Sequence, residues 1–122
     1  MNPYLMTPRI IKESSEGTPY CPIQDELFSR HRSIEVVGEI TRESVYSLVL
    51  QLRYLYSADP EKEITMYINS PGGSVIDGLA LYDVMAGISC PIRTICVGMA
   101  ASMGALLFAA GNKRDMLPHA AV

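Results

Sequence analysis

Ser102 is the residue of this sequence best placed to do chemistry. It follows a run of small residues, Gly98-Met99-Ala100-Ala101, and precedes an apolar segment that predicts a helix. At a helix start, the macrodipole and free N–H groups stabilise developing negative charge, which suits a nucleophile. The alternative is that Ser102 simply caps the helix, as most serines in that position do. The spacing is not that of a G-x-S-x-G elbow, so an α/β-hydrolase is not indicated.

A second turn, Asn69 to Ser74, carries consecutive glycines at Gly72 and Gly73. Such glycines let the backbone approach a ligand and direct N–H groups at it. The segment has neither the G-x-x-x-x-G-K-[ST] nor the G-x-G-x-x-G pattern, so a nucleotide-binding loop is not supported. Taken alone, it is interpreted as a plain turn in which glycine supplies positive φ.

An alternation of strands and helices must position these two turns. The predicted strands are residues 34–38, 64–68 and 92–97. The predicted helices are residues 24–30, 75–86 and 102–110, together with a longer helix that begins at Thr41 and ends at Asp59-Pro60. A tight turn is predicted at residues 98–101. This alternation predicts an α/β fold with parallel strands, in which sites gather at the carboxyl ends of the strands. Both turns lie at such ends.

Two helices carry predictions about which face is buried. In the helix from Thr41, the candidate N-cap, the inward positions are Val45, Leu48, Val49, Leu52, Leu55 and Tyr56. In the helix at 75–86, Val75, Leu79 and Tyr82 are predicted to face inward.

Composition excludes several classes of protein. A chain of 122 residues with 48% hydrophobic residues allows one compact unit, or part of one, after a flexible arm predicted at residues 1–22. The net charge of -3 argues against nucleic-acid binding. The three cysteines match no zinc or redox spacing, and the N-terminus has no secretory signal, so a cytoplasmic protein is predicted. No metal and no cofactor are expected. The uncharged run from Thr94 to Asn112 is rich in small residues and predicts a strand and a buried helix, not a membrane span.

Several segments together resemble the proteolytic subunit of the Clp protease, the ClpP family. Their order, spacing and residue identities match the family from about Asp25 to Val122, and such a run is far more specific than any single motif. The matching segments are Tyr67-Ile68-Asn69-Ser70-Pro71-Gly72-Gly73, Leu81-Tyr82-Asp83-Val84-Met85, Thr94-Ile95-Cys96-Val97-Gly98-Met99-Ala100-Ala101-Ser102-Met103-Gly104, Ala109-Ala110-Gly111-Asn112-Lys113-Arg114 and Leu117-Pro118.

The resemblance implies a serine endopeptidase of the ClpP/crotonase fold, with repeated β-β-α units, a mostly parallel sheet and packed helices. Residues 23–122 then form the N-terminal portion of the head domain. By the same resemblance, Ser102 is the nucleophile, and the backbone N–H groups of Gly73 and Met103 form the oxyanion hole. The segment Gly72, Gly73, Ser74 and Val75 is implied to bind an extended peptide through its backbone as a glycine-rich strand.

The catalytic base is the main departure from the family pattern. The sequence has two histidines, His31 and His119. His31 is interpreted as a surface residue, and His119 is predicted to lie in a loop. In the family, the catalytic histidine follows the Leu-Pro pair within Val-Met-Ile-His, which alignment puts three residues beyond Val122, and the aspartate comes later still. The remaining head-domain elements would also lie beyond that point. The 122-residue chain is therefore predicted to be inactive by itself.

The resemblance also implies partners. These are a ring of like subunits, homo- or hetero-oligomeric and heptameric by family, an ATP-driven AAA+ unfoldase, and unfolded polypeptide as substrate, with no membrane or nucleic acid. The segment Ala86-Gly87-Ile88 stands where the family usually has an aromatic residue, which weakens the prediction of unfoldase docking although Tyr67 is retained. Two alternatives stay open: a catalytically silent ring subunit and, disfavoured by Ser102, a crotonase-like acyl-CoA enzyme.

Overall fold

The computed structural model describes residues 9–11 and 20–122, as two compact units divided between Arg32 and Ser33. Much of the arm predicted at residues 1–22 lies outside the described residues, so the boundary after residue 22 stays a prediction.

The first unit contains a pair of strands and one helix. Strands β1 (Arg9–Ile11) and β2 (Tyr20–Pro22) pair antiparallel, with Ile10 opposite Cys21. Helix α1 (Ile23–Ser29) follows directly, which confirms the short helix predicted there. The two strands were not predicted because three-residue strands have no periodicity to detect.

The second unit is built on a parallel four-stranded sheet, as the alternation of elements predicted. The strand order is β3-β4-β5-β6, and each neighbouring pair is parallel. The strands are β3 (Ser33–Val37), β4 (Ile64–Ser70), β5 (Ile92–Ala100) and β6 (Lys113–Met116). The crossover helices are α2 (Arg42–Ala58), α3 (Val75–Gly87) and α4 (Met103–Ala109). Strand β6 was not predicted, because it is a fully exposed and charged edge strand without an apolar face.

Helix α2 begins where the sequence predicted. The Thr41 hydroxyl accepts a hydrogen bond from the Ser44 N–H at 3.1 Å, and the Ser44 hydroxyl accepts one from the Thr41 N–H at 2.9 Å. This reciprocal cap satisfies two N–H groups that the first turn of a helix leaves free. Of the predicted inward residues, four are buried, Val49 is half-buried and Tyr56 is exposed; the buried four are Val45, Leu48, Leu52 and Leu55. Tyr56 lies in the last turn, where its hydroxyl gains from contact with water.

The buried face of helix α3 differs from the prediction. Val75, Leu79 and Tyr82 are exposed, and the helix instead buries Gly78, Leu81 and Met85. The helix has apolar residues on all sides, so its periodicity could not select a face. The selection comes from tertiary contact, because a Cβ at Gly78 would overlap the Met103 side chain of α4. Glycine at this position leaves the space that the Met103 side chain fills between the two helices.

The core lies on one face of the sheet, beneath the helices. Alternate residues of β3, β4 and β5 point into it, which is the period-two pattern of a sheet covered on one side. The fully or almost fully buried strand residues are Ile34, Val36, Ile64, Met66, Ile68, Ser70, Ile92, Thr94, Cys96 and Ala100. Within the described part of the chain, no helix has both the length and the apolar character needed to cross a membrane.

Candidate active site

Ser102 adopts a backbone conformation that side chains rarely tolerate. Its φ is 54° and its ψ is -122°, and it is one of two described non-glycine residues with positive φ. Ser102 is the N-cap residue of α4, but its side chain makes no cap hydrogen bond and the residue is exposed, so its hydroxyl is not used to cap the helix. Strain of this kind costs on the order of 1–3 kcal/mol and persists only where the surroundings enforce it.

The Gly72-Gly73 turn and the turn that contains Ser102 touch each other at Gly72. A Cβ placed on Gly72 would lie 2.9 Å from the Ala101 carbonyl oxygen, 2.9 Å from Ser102 Cβ and 3.2 Å from the Met103 nitrogen. The φ of Gly72 is +102°, which also favours glycine. The structure therefore brings the Gly72-Gly73 turn and the Ser102 turn together at the carboxyl ends of β4 and β5.

Ser70 joins the two turns and was not singled out by the sequence analysis. This residue is fully buried at the end of β4. Its hydroxyl accepts a hydrogen bond from the Gly72 N–H at 3.1 Å, and its carbonyl accepts one from the Ala101 N–H at 3.0 Å. The signal was present in the sequence: Ile64, Met66 and Ile68 occupy the inward positions of β4, and a hydroxyl stands at the next one.

The direction of the Gly73 N–H follows from its pairing with Ile40. The Ile40 N–H donates to the Gly72 carbonyl, and the Ser74 N–H donates to the Ile40 carbonyl, both at 2.9 Å. In a parallel bridge of this type, the N–H and C=O of the middle residue point to the opposite edge. Gly73 therefore directs its N–H away from Ile40. No described residue accepts a hydrogen bond from the N–H of Gly73 or of Met103, so both donors are available.

The extended backbone after Gly73 is shorter than the glycine-rich strand that the resemblance implied. Helix α3 begins at Val75, and the Ser74 hydroxyl caps it by accepting a hydrogen bond from the Asp77 N–H at 3.2 Å. Extended backbone at this turn therefore ends at Ser74.

The tight turn predicted at residues 98–101 is instead the end of β5. The strand runs to Ala100 through an irregularity, because Ile68 pairs with Cys96 while Ser70 pairs with Ala100. The irregularity accommodates Asn69, whose side-chain oxygen accepts a hydrogen bond from the Met99 N–H at 3.4 Å. Gly98, with φ +77°, leaves room for that side chain. The small residues predicted a turn because a strand interrupted in this way lacks regular alternation.

His119 does not pair with Ser102. His31 and His119 are both exposed, and the Ser102 hydroxyl has no hydrogen-bond partner among the described residues. The segment after β6 returns to β5, where the Ala121 N–H donates to the Gly98 carbonyl and the Ala121 carbonyl accepts from the Ala100 N–H, both at 2.9 Å. Its backbone thus runs parallel to the end of β5, in the direction of Ser102. Within residues 9–11 and 20–122, no cluster of His, Cys, Asp and Glu side chains could hold a metal ion.

Comparison with known proteins identifies relatives of this chain. The model of the Clp protease family matches residues 17–122. ATP-dependent Clp protease proteolytic subunit 1 of Synechococcus sp. (strain CC9902) is 44% identical over 119 residues, which are 96% of this chain and 60% of the relative. The chain thus spans about three fifths of the length of that curated relative. The family resemblance read from the motifs is confirmed.

Proposed function

The chain belongs to the Clp protease family, and we propose that it contributes the nucleophile and oxyanion hole of a serine endopeptidase that cleaves unfolded polypeptides inside a ring chamber. Ser102 is the nucleophile, and the N–H groups of Gly73 and Met103 bind the oxyanion. The complete activity requires a base from outside the 122 residues, so the isolated chain is inactive.

One observation carries this proposal: the contact between Gly72 and the Ser102 turn. It sets a strained, exposed serine with an unbonded hydroxyl beside two N–H groups that no described residue uses. An acyl-transfer site needs a nucleophile and two N–H donors directed at the carbonyl it attacks. A serine serving only as a helix cap would need none of these features.

The chemistry then proceeds in two steps. A base takes the proton of the Ser102 hydroxyl while its oxygen bonds to the peptide carbonyl carbon, and the carbonyl oxygen gains negative charge between the Gly73 and Met103 N–H groups. Collapse of this intermediate expels the amine, which takes up the proton, and water then hydrolyses the acyl-serine. The base is the histidine that the family pattern puts three residues after Val122. The parallel course of Ala121 beside β5 supports that assignment, because it leads the backbone toward Ser102.

Substrate binding uses the edge of the chain at Gly72 and Gly73. The inner edge pairs with Ile40, so the outer edge offers the Gly73 N–H and C=O to an extended peptide. Backbone pairing of this kind does not depend on the side chains of the substrate. Ser74 forms the end of this edge, and Val75 adds an exposed side chain next to it. Such tolerance suits an enzyme fed with unfolded polypeptide by an AAA+ unfoldase in a cytoplasmic ring assembly, heptameric by family.

The test compares the 122-residue chain with the same chain extended by the carboxyl-terminal segment of the Synechococcus subunit. A fluorophosphonate probe should label Ser102 in the extended protein, and the isolated chain should react on the order of 10⁴-fold more slowly because the base is missing. Ser102→Ala in the extended protein is the matched control and should stay unlabelled.

Two results would count against the proposal. Rapid labelling of Ser102 in the isolated chain would mean that the chain holds its own base. An extended protein that folds and assembles but never reacts would favour the silent ring subunit instead. The coding sequence directly after Val122 adds an independent check, because the proposal expects Met-Ile-His there.

A further inference from the structure

Ser70 occupies a position from which it contacts both turns of the site. Its side chain binds the Gly72 N–H, and its carbonyl binds the Ala101 N–H next to Ser102. Gly104 packs against the same residue, since a Cβ at Gly104 would lie 2.9 Å from the Ser70 carbonyl oxygen and 3.3 Å from Ser70 Cβ. Strand β4, the glycine turn and the start of α4 therefore meet at this one residue.

The hydroxyl of Ser70 acts where the backbone is least constrained. Glycine adopts many backbone conformations at little steric cost, so sterics alone do not fix the two peptide planes on either side of Gly72, which carry the Gly72 N–H and the Gly73 N–H. The Ser70 hydroxyl fixes the Gly72 N–H inward, at a buried position. Ile40 then fixes the flanking Gly72 carbonyl and Ser74 N–H, which leaves the Gly73 N–H directed outward.

We propose that Ser70 is a positioning residue of the site: its hydroxyl holds the Gly72 N–H so that Gly73 alone of the two glycines presents its N–H to the substrate carbonyl. Its carbonyl, through Ala101, holds the Ser102 turn against that donor. The inference rests on the proposed function of Ser102 and Gly73. In it, the buried Ser70 hydroxyl determines which of the two glycine N–H groups serves as oxyanion donor.

Thr94 offers a matched control on the neighbouring strand. It is also fully buried, and its hydroxyl donates to the Phe108 carbonyl at 2.7 Å. Thr94→Val removes one buried hydroxyl that contacts neither turn, and Ser70→Ala removes one that contacts Gly72. The two variants should lose stability alike, and only Ser70→Ala should change the site.

The experiment uses the full chain and a peptide boronic acid. The Ser102 oxygen adds to the trigonal boron and the hydroxyl proton passes to the buffer, giving a tetrahedral boronate whose oxygen occupies the oxyanion hole. Because the adduct is measured at equilibrium, by boron-11 NMR, it reports on the donors and not on a base. Ser70→Ala should weaken the adduct at least tenfold, Thr94→Val should leave it unchanged, and Ser102→Ala should form none.

Amide hydrogen exchange measured by NMR gives a second readout that needs no reaction at Ser102. The Gly72 amide should be protected in the unaltered chain and lose at least tenfold protection in Ser70→Ala, with shifted Gly73 and Met103 amide signals. Unchanged signals, or an adduct as tight as in the unaltered chain, would overturn the inference. If the unaltered chain forms no adduct, the proposed function fails, and the exchange and shifts still decide the role of Ser70. If Ser70→Ala does not fold, Ser70→Cys keeps the shape with a weaker acceptor and takes its place.

Discussion

Replacing Gly72 by alanine should destabilise the protein by more than the backbone strain of a positive φ alone. The new Cβ would lie 2.9 Å from the Ala101 oxygen and from Ser102 Cβ, and 3.2 Å from the Met103 nitrogen. All three atoms belong to the backbone or are bonded directly to it, so no side-chain rotation can relieve the overlap. The Gly72 and Ser102 turns must move apart.

Three contributions set the size of the effect. Holding alanine at a φ of +102° costs on the order of 1–3 kcal/mol. The more restricted unfolded chain offsets about 0.4–1 kcal/mol of that cost. Overpacking against a backbone that cannot yield adds about 1–3 kcal/mol. Taking the middle of each range, Gly72→Ala should lower the free energy of unfolding by roughly 3 kcal/mol.

Gly38 supplies a control for the backbone contribution. Its φ is +88°, and nothing lies within 4 Å of the position its Cβ would take. Gly38→Ala therefore carries strain without overlap and should cost about 1 kcal/mol. Urea denaturation of the two variants and the unaltered chain gives both values. Equal losses at Gly38 and Gly72 would refute the contact between the two turns, and with it the geometry assigned to the site.

Three further predictions concern single residues. Ser102→Gly should raise the free energy of unfolding by about 1 kcal/mol in urea denaturation, because glycine relieves the strained φ; a loss of stability would contradict the strain. Burial raises the pKa of the Cys96 thiol, so iodoacetamide should alkylate Cys96 at pH 8 only after unfolding, and rapid alkylation of the folded chain would contradict its burial. Desolvation raises the pKa of the Glu35 carboxyl above 4.5, so the folded state favours the protonated form and stability falls as pH rises through that pKa. Glu35→Gln should therefore stabilise the chain at pH 7 and have no such effect below pH 4. An equal change in the free energy of unfolding at the two pH values would rule out desolvation of the Glu35 carboxylate as the cause.

Local sequence signals predicted the main elements of the second unit. The Thr41 cap and the spacing from Val45 to Leu55 located α2, because an amphipathic helix repeats the same contact several times. Apolar β-branched runs located β3, β4 and β5. The proximity of Ser102 to the Gly72-Gly73 turn then followed from parallel topology, which places the ends of successive strands at one edge.

Features set by tertiary contact could not be predicted in this way. Helix α3 is apolar on all sides, and its orientation depends on the fit of Gly78 against Met103. The irregular end of β5 depends on Asn69 of the neighbouring strand. For the site, the sequence and family pattern selected Ser102, Gly73 and Met103, but the positive φ of Ser102 and the contacts of Ser70 appear only when β4 and β5 are paired.

The site geometry does not depend on the base that the proposed function requires. The strained Ser102 backbone is held by contacts within the second unit: the Ala101 N–H to Ser70, the Gly104 N–H to the Ala101 carbonyl at 2.9 Å, and the fit of Gly72. None of these contacts involves a histidine. A strained conformation persists only if such contacts outweigh its cost, so Ser102 and the N–H groups proposed as oxyanion donors should be in position before a base arrives. Supplying the base should therefore change the rate of reaction at Ser102 while the free energy gained from the Ser70 and Gly72 contacts stays the same.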